Sequence, residues 1–290
     1  MSDEEKSIYG LIGYPLGHSL SPLMHNAAFE ALGVDAIYKL FPLKENELGD
    51  FFADLRETTS PIFGLNVTIP YKEKVIPYLD YLSPYAQKIQ AVNTIVVSDQ
   101  RTLVGHNTDG PGFLTHLKEL NFEAEKKRVA ILGAGGVTRA ILAVLCLLPE
   151  RPSVIRIYDQ EKNKVKVLID DLMKNNIDVS IASAVDTMDD LKIASTNLLI
   201  NATPVGMKPD DPCLVSEDLI SPQMCVYDVI YNPAETKLLK AAKAKGARTS
   251  NGLGMLFYQG VLTFQHWANM ELEDELKEKM RQGLMKGLKT

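Results

Sequence analysis

"RVAILGAGGVTRAILAVL", residues 128–145, constrains the fold more than any other stretch of the chain. An apolar, strand-like run enters a glycine turn, and the turn enters an apolar helix pattern. Passing from strand to helix in so few residues needs backbone conformations that side chains obstruct. Gly133, Gly135 and Gly136 supply them. Such a turn lets backbone N–H groups approach a pyrophosphate, and the positive end of the helix dipole faces the same ligand. Thr138 stands where the third glycine of G-x-G-x-x-G usually falls, so the fingerprint is a variant. A strand before it, a helix after it and a βαβ unit beyond are the context the motif demands. We therefore read Gly133, Ala134, Gly135, Gly136 and Val137 as a dinucleotide-binding turn. The alternative is a merely tight turn.

The rest of the chain alternates strand and helix patterns, which implies α/β architecture. Downstream of the turn, "SVIRIYD", "VSIAS", "NLLINAT" and "CVYDVIY" read as strands with helical segments between them. This predicts a doubly wound, Rossmann-like unit over residues 109–252, followed by two helices, 253–269 and 271–289. Upstream, residues 1–108 predict a separate α/β unit, completed by those helices, with a cleft between the two units. Its strands are expected at "SIYGLIG", "AIYKLFPL" and "IFGLNVTI", with a hairpin of "AVNTIVV" and "RTLVGHN" around "SDQ". Its helices are expected at "SPLMHNAAFEALG", "ENELGDFFADLRE" and the short "YKEKVIPYL". In the first of these Ser21 reads as N-cap, Pro22 as N1 and Gly33 as the stop.

Totals exclude several function classes. A net charge of −6 offers no attraction to nucleic acid or an anionic membrane surface. The three cysteines have no C-x-x-C spacing, so no disulfide framework and no metal site is expected, and Cys146 reads as core packing. The longest apolar run is too short to span a bilayer, and "MSDEEKSIYG" has the character of neither a signal nor a transit peptide. A cytoplasmic protein acting on a small molecule, as monomer or homodimer, is the resulting expectation.

Asp159 ends the strand that follows the glycine-turn helix. An acid at that tip accepts hydrogen bonds from both adenosine ribose hydroxyls and repels a 2'-phosphate, which favours NAD over NADP. Two alternatives stay open. Lys162 and Lys164 could hold a phosphate, or Asp159 could only cap the next helix.

In the first unit, "GYPLGHSLSPLMHN" places Ser19 and Ser21 just before a helix start, where hydroxyls and N–H groups suit a carboxylate. Simple capping would also explain Ser21. His18 and His25 read as structural. Along the chain "GYPLGHSLSPLMHN", "NVTIPYK", "AVNT", "NTDG", "GAGG", "NATPVGM" and "NGLGMLFYQ" follow in order. Together they resemble the shikimate dehydrogenase family, which includes quinate/shikimate dehydrogenases, over about residues 8–270.

The resemblance implies reversible hydride exchange between a nicotinamide and a ring carbon, interconverting 3-dehydroshikimate and shikimate. It matches Lys72 to the family's proton-transferring lysine and Asp109 to its partner. It implies that Ser19, Ser21 and Tyr231 hold the substrate carboxylate, and that Thr68, Asn93, Asp109 and Gln259 bind ring hydroxyls. It implies that Thr203, Val229 and Gly252 line the cofactor beside the glycine turn and Asp159. One departure bears on the cofactor. NADP-dependent members carry an arginine after the strand tip, whereas this chain has "DQEKNK". NAD is therefore the expected cofactor, with NADP possible, and quinate the alternative substrate. A non-catalytic dinucleotide-binding regulator is the alternative of another class, and direction within a biosynthetic or catabolic pathway stays open.

Overall fold

The computed structural model describes residues 6–17 and 19–288; His18 and the acidic first five residues lie outside them. The chain divides into two compact units, one of residues 1–112 with 257–290, the other of residues 113–256.

The first unit holds strands β1 (Ser7–Gly13), β2 (Ala36–Pro42), β3 (Ile62–Val67), β4 (Tyr81–Leu82), β5 (Thr94–Val97) and β6 (Leu103–His106). They form a mixed sheet in the order β2-β1-β3-β5-β6-β4. β1 pairs in parallel with both β2 and β3, while β5 runs antiparallel to β3 and β6. The antiparallel pair is the expected hairpin, and Arg101 takes a left-handed conformation in its turn. Helices α1 (Ser21–Leu32), α2 (Leu48–Leu55), α3 (Pro84–Ile89), the start of α4 (Asp109–Glu119), most of α8 (Leu253–Ala268) and α9 (Asp274–Lys286) complete this unit. Ile12, Leu48, Phe52, Leu65, Val67, Tyr71, Val92 and Ile95 make one continuous core. Each such side chain, fully buried, contributes about 1.5–3 kcal/mol.

The second unit holds β7 (Arg128–Leu132), β8 (Val154–Tyr158), β9 (Ala182–Ala184), β10 (Leu198–Asn201), β11 (Cys225–Asp228) and β12 (Arg248–Ser250). Its sheet is parallel throughout, in the order β12-β11-β10-β7-β8-β9. Strand order reverses at β7, which carries the glycine turn at its C-terminal end. β10 and β11 are buried along their whole length, as expected when helices cover both faces. α5 (Gly136–Cys146) is buried from Thr138 to Cys146, and α6 (Lys162–Lys174) and α7 (Lys237–Ala244) flank the sheet with one apolar side each. The buried Arg139 guanidinium of α5 reaches Asp171 of α6 at 3.1 Å, an ion pair between neighbouring helices. Cys146 is packed in the core, and burial pushes its thiol up to about 12.

Three local expectations are corrected. "YKEKVIPYL" is not an α-helix: it forms turns and a single 3₁₀ turn at Ile76–Tyr78. Pro77 has no N–H to offer Glu73, and the Lys72 carbonyl is taken by the Val92 N–H at 2.7 Å. Ser21 is not the N-cap. Leu20 already has helical dihedrals, and it is the Ser19 hydroxyl that accepts the Ser21 N–H, at 3.3 Å. The segment from Glu45 opens with a 3₁₀ turn at Glu45–Glu47 before α2, because Glu47 folds back to accept the Lys44 N–H at 2.6 Å. Gly33 ends α1 in the left-handed conformation, as the sequence predicts. No helix of the described residues is long and apolar enough to cross a membrane.

Candidate active site

In the first unit the structure brings Lys72, Asn93, Asp109 and Gln259 together. The Lys72 Nζ lies 2.6 Å from Asp109 Oδ2, with the two side chains only 11% and 8% exposed. The other carboxylate oxygen accepts from Asn93 Nδ2 at 3.0 Å, and the same nitrogen lies 3.4 Å from Gln259 Oε1. Each residue is fixed by its element. Asp109 opens α4, where negative charge suits the helix dipole, and its N–H is held by Asn107 Oδ1 at 3.0 Å. Asn107 is itself pinned to the Ala91 carbonyl at 3.1 Å. The Asn93 backbone joins β3 to β6, accepting from Val67 and donating to the His106 carbonyl. Gln259 lies on α8, where its backbone passes so close to Gly112 that a Cβ there would sit 2.7 Å from the Gln259 nitrogen.

Thr68 follows β3, with its methyl group over Gly13. Ser19 precedes α1 and Ser21 opens it. Ser21 is buried beside Tyr38, whose hydroxyl donates to Asn66 Oδ1 at 2.9 Å. Burial raises the Tyr38 phenol far above its ordinary range.

The second unit gathers the residues expected to face a dinucleotide. Gly133 has φ +97°, and a Cβ there would stand 2.8 Å from the Ala202 carbonyl oxygen, so the turn needs glycine on both counts. A Cβ built at Gly135 would meet open space among the described residues, which leaves the N-terminus of α5 uncovered. Gly136 and Val137 form the first turn of that helix. Thr138, the departure from the fingerprint, is buried and donates to the Gly133 carbonyl at 2.9 Å, bracing the turn from within.

Asp159 binds its own scaffold with both oxygens. Oδ2 accepts from Ala134 N at 2.9 Å and Oδ1 from Glu161 N at 2.8 Å. The strand-tip acid thus fastens the glycine turn as well as the segment leading into α6. Lys162 and Lys164 are exposed and pair with Asp186 at 3.3 Å and Glu161 at 2.5 Å.

Thr203 and Val229 rest on a buried polar assembly that sequence reasoning missed. Thr203 gives both its N–H and its hydroxyl to Asn201 Oδ1, at 3.0 and 2.7 Å. Asn201 Nδ2 donates to Asp228 Oδ1 at 3.0 Å, and Thr236 donates to Asp228 Oδ2 at 2.7 Å. Burial raises the Asp228 carboxyl, and its hydrogen bonds oppose that shift. The signal lay in "INAT" and "VYDVIY", where Asn201 and Asp228 end otherwise apolar strands. Gly252 gains a reason as well: a Cβ there would lie 2.0 Å from the Val229 carbonyl oxygen. Tyr231 follows β11 in this unit, and burial raises its phenol. Among the described residues no three His, Cys, Asp or Glu side chains gather as a metal site.

The family profile for the shikimate dehydrogenase substrate binding domain matches residues 11–95. A relative named shikimate dehydrogenase (NADP(+)), from Carboxydothermus hydrogenoformans, is 43% identical over 271 residues, covering 92% of this chain and 93% of its own length. The crystal structure of shikimate 5-dehydrogenase from Listeria monocytogenes, in complex with shikimate and NAD, is 37% identical. It superposes with a TM-score of 0.83 over 94% of this chain and 96% of its own. Quinate dehydrogenase from Corynebacterium glutamicum, in complex with NAD, is 30% identical with a TM-score of 0.86 over 97% of this chain and 99% of its own. The chain belongs to the shikimate dehydrogenase family of NAD(P)-linked oxidoreductases.

Proposed function

We propose that this protein interconverts 3-dehydroshikimate and shikimate, with NAD as the preferred dinucleotide. The observation that carries the reading is the Lys72–Asp109 pair at 2.6 Å, held by Asn93. Carbonyl reduction leaves negative charge on the ring oxygen, and a nearby ammonium both stabilises that charge and delivers the missing proton. Lys72 takes that role, and in the oxidative direction its amine receives the proton. Asp109 orients the ammonium and, with Asn93 and Gln259, offers hydrogen bonds to ring hydroxyls. Ser19, Ser21, Thr68 and Tyr231 complete the proposed substrate contacts.

The uncovered start of α5, the glycine turn and the Asp159 tip fit a dinucleotide, and Thr203, Val229 and Gly252 would stand beside it. A nicotinamide bound there supplies or accepts the hydride. The named Carboxydothermus relative carries NADP(+) in its name, so the choice of NAD rests on this chain's own residues. Asp159 places a negative charge at the strand tip, residues 160–166 contain no arginine, and Lys162 and Lys164 each have an acidic partner. The likeness to a quinate dehydrogenase with NAD makes quinate the substrate to test beside shikimate.

The test is a two-by-two rate assay of shikimate or quinate with NAD or NADP. Highest kcat/KM for shikimate with NAD is the expected result. A higher value with NADP overturns the cofactor half, a higher value with quinate overturns the substrate half, and four inert mixtures overturn both.

A further inference from the structure

Behind Asn93 lies a buried cluster of threonines that the proposed chemistry does not use. Thr94 of β5, Thr108 before α4 and Thr263 of α8 are all buried; the hydroxyls of Thr94 and Thr108 reach the Asn93 amide, and that of Thr263 reaches both of theirs. The Thr108 N–H can only donate, and it points at Asn93 Oδ1 from 2.7 Å. That fixes which end of the amide is oxygen. The Asn93 NH₂ must then face Asp109 Oδ1 at 3.0 Å and Thr108 Oγ1 at 2.9 Å.

Assigning the remaining protons closes a ring. Thr108 Oγ1, having accepted from Asn93, donates to Thr263 Oγ1 at 3.2 Å. Thr263 donates to Thr94 Oγ1 at 2.7 Å, and Thr94 donates to Asn93 Oδ1 at 3.1 Å. In this arrangement each hydroxyl has a proton to give and an acceptor to meet, and the Thr108 hydroxyl can also give its proton to Asn93 Oδ1 at 3.2 Å. Bonds in such a chain polarise one another and hold their members more tightly than isolated pairs. Thr263 also receives Asn66 Nδ2 at 3.1 Å, so it ties β3 to the ring as well. Its place on α8 is one helical turn beyond Gln259, on the same side of the helix.

We propose that Thr263 is a positioning residue for the reaction: its hydroxyl closes the ring that orients the Asn93 amide, and through it the Asp109 carboxylate against Lys72. The inference rests on the proposed function above. Without the Thr263 hydroxyl, Thr94 and Thr108 lose the partner that fixes their own hydroxyls, and the Asn93 amide, still held by the Thr108 N–H and Asp109, sits in a looser frame. Small displacements at a proton-transferring pair cost far more in turnover than in binding.

The experiment compares Thr263→Val, Thr263→Ala and Thr263→Ser. Valine matches threonine in shape, alanine avoids any clash should valine fail to fold, and serine restores the hydroxyl. With shikimate and NAD, both hydroxyl-free variants should lose about ten-fold in kcat, with the KM for shikimate changed less than about three-fold. The KM for NAD should be unchanged, and Thr263→Ser should stay within about two-fold of the parent. Parent-like kcat in folded Thr263→Val or Thr263→Ala overturns the proposal. So does a Thr263→Ser variant as impaired as Thr263→Val, which would mark the methyl group as the important part. A parent protein inert towards both acids would sink the functional reading and this inference with it. An active parent with insensitive variants sinks only the inference.

Discussion

Replacing Asp159 by asparagine isolates the charge proposed to choose the cofactor. The carboxylate is half-buried at the strand tip, with its oxygens 2.9 and 2.8 Å from two backbone nitrogens. A 2'-phosphate held about 4 Å away would be repelled by about 1–4 kcal/mol per unit charge, between watery and surface dielectrics. A middle value of about 2 kcal/mol corresponds to roughly thirty-fold. Asparagine cannot accept both backbone N–H groups, so the glycine turn loosens. That penalty falls on NAD and NADP alike and cancels in their ratio. Weaker acceptance from the ribose hydroxyls adds to the change against NAD. The ratio of kcat/KM for NADP over NAD should therefore rise about thirty-fold or more in Asp159→Asn. Salt gives a second reading of the same charge. Screening shortens to about 3 Å at 1 M salt from about 10 Å at 0.1 M, so the parent's preference should shrink with salt while the variant's stays nearly flat. An unchanged ratio in Asp159→Asn would refute the reasoning and turn attention to Lys162 and Lys164.

Lys72→Ala should lower kcat by about 10²–10⁴-fold while substrate affinity, measured by calorimetry, changes only a few-fold; near-parent turnover would remove Lys72 from the mechanism. Asp228→Ala removes the acceptor of the Ile230 N–H and of the Thr236 hydroxyl, and one of the two acceptors of Asn201 Nδ2. It should cost about 2–4 kcal/mol in denaturant unfolding and raise the KM for the dinucleotide. His25 is fully buried, stacked on Tyr38 at 4.7 Å, with neither ring nitrogen hydrogen-bonded among the described residues, and burial lowers its pKa from 6.5 to about 3. A depressed folded pKa means stability is fully present above pH 6.5 and falls towards pH 3, by about 1.4 kcal/mol per unit. His25→Phe should flatten the stability profile between pH 6.5 and 4.5, and an unchanged slope there would show that His25 does not titrate as described.

The glycine turn was legible because its demands are local. Strand, left-handed backbone and helix start all fall within about twenty residues, and the structure realises them where the pattern placed them. Class and strand alternation followed for the same reason. "YKEKVIPYL" misled because its apolar spacing suits a helix, while the competing bond from Val92 comes from a segment twenty residues away. The functional side chains were legible only in part. The Lys72–Asp109 contact spans 37 residues and was expected solely from the resemblance. Asn66 and Thr263 are 197 residues apart, and no period in either segment points to the other. Asn201 and Asp228 could have been suspected as polar residues ending buried strands. Their shared purpose becomes visible only with β10 beside β11.

The discontinuity of the first unit sets an order for biosynthesis. Residues 113–256 emerge from the ribosome as one uninterrupted stretch, able to collapse as soon as they are made. The earlier residues 6–112 must wait, because Thr263, Phe264 and α9 lie beyond the inserted unit. α9 comes so close to α1 that a Cβ at Gly283 would sit 2.4 Å from the Leu23 carbonyl oxygen. The nascent sheet therefore spends translation of more than a hundred residues with an apolar flank bare, a window in which chaperones have the most to hold. Trp267, the chain's single tryptophan, reports the end of that wait: it docks between Tyr9 and His25 and donates to the Ile95 carbonyl only when the two halves meet.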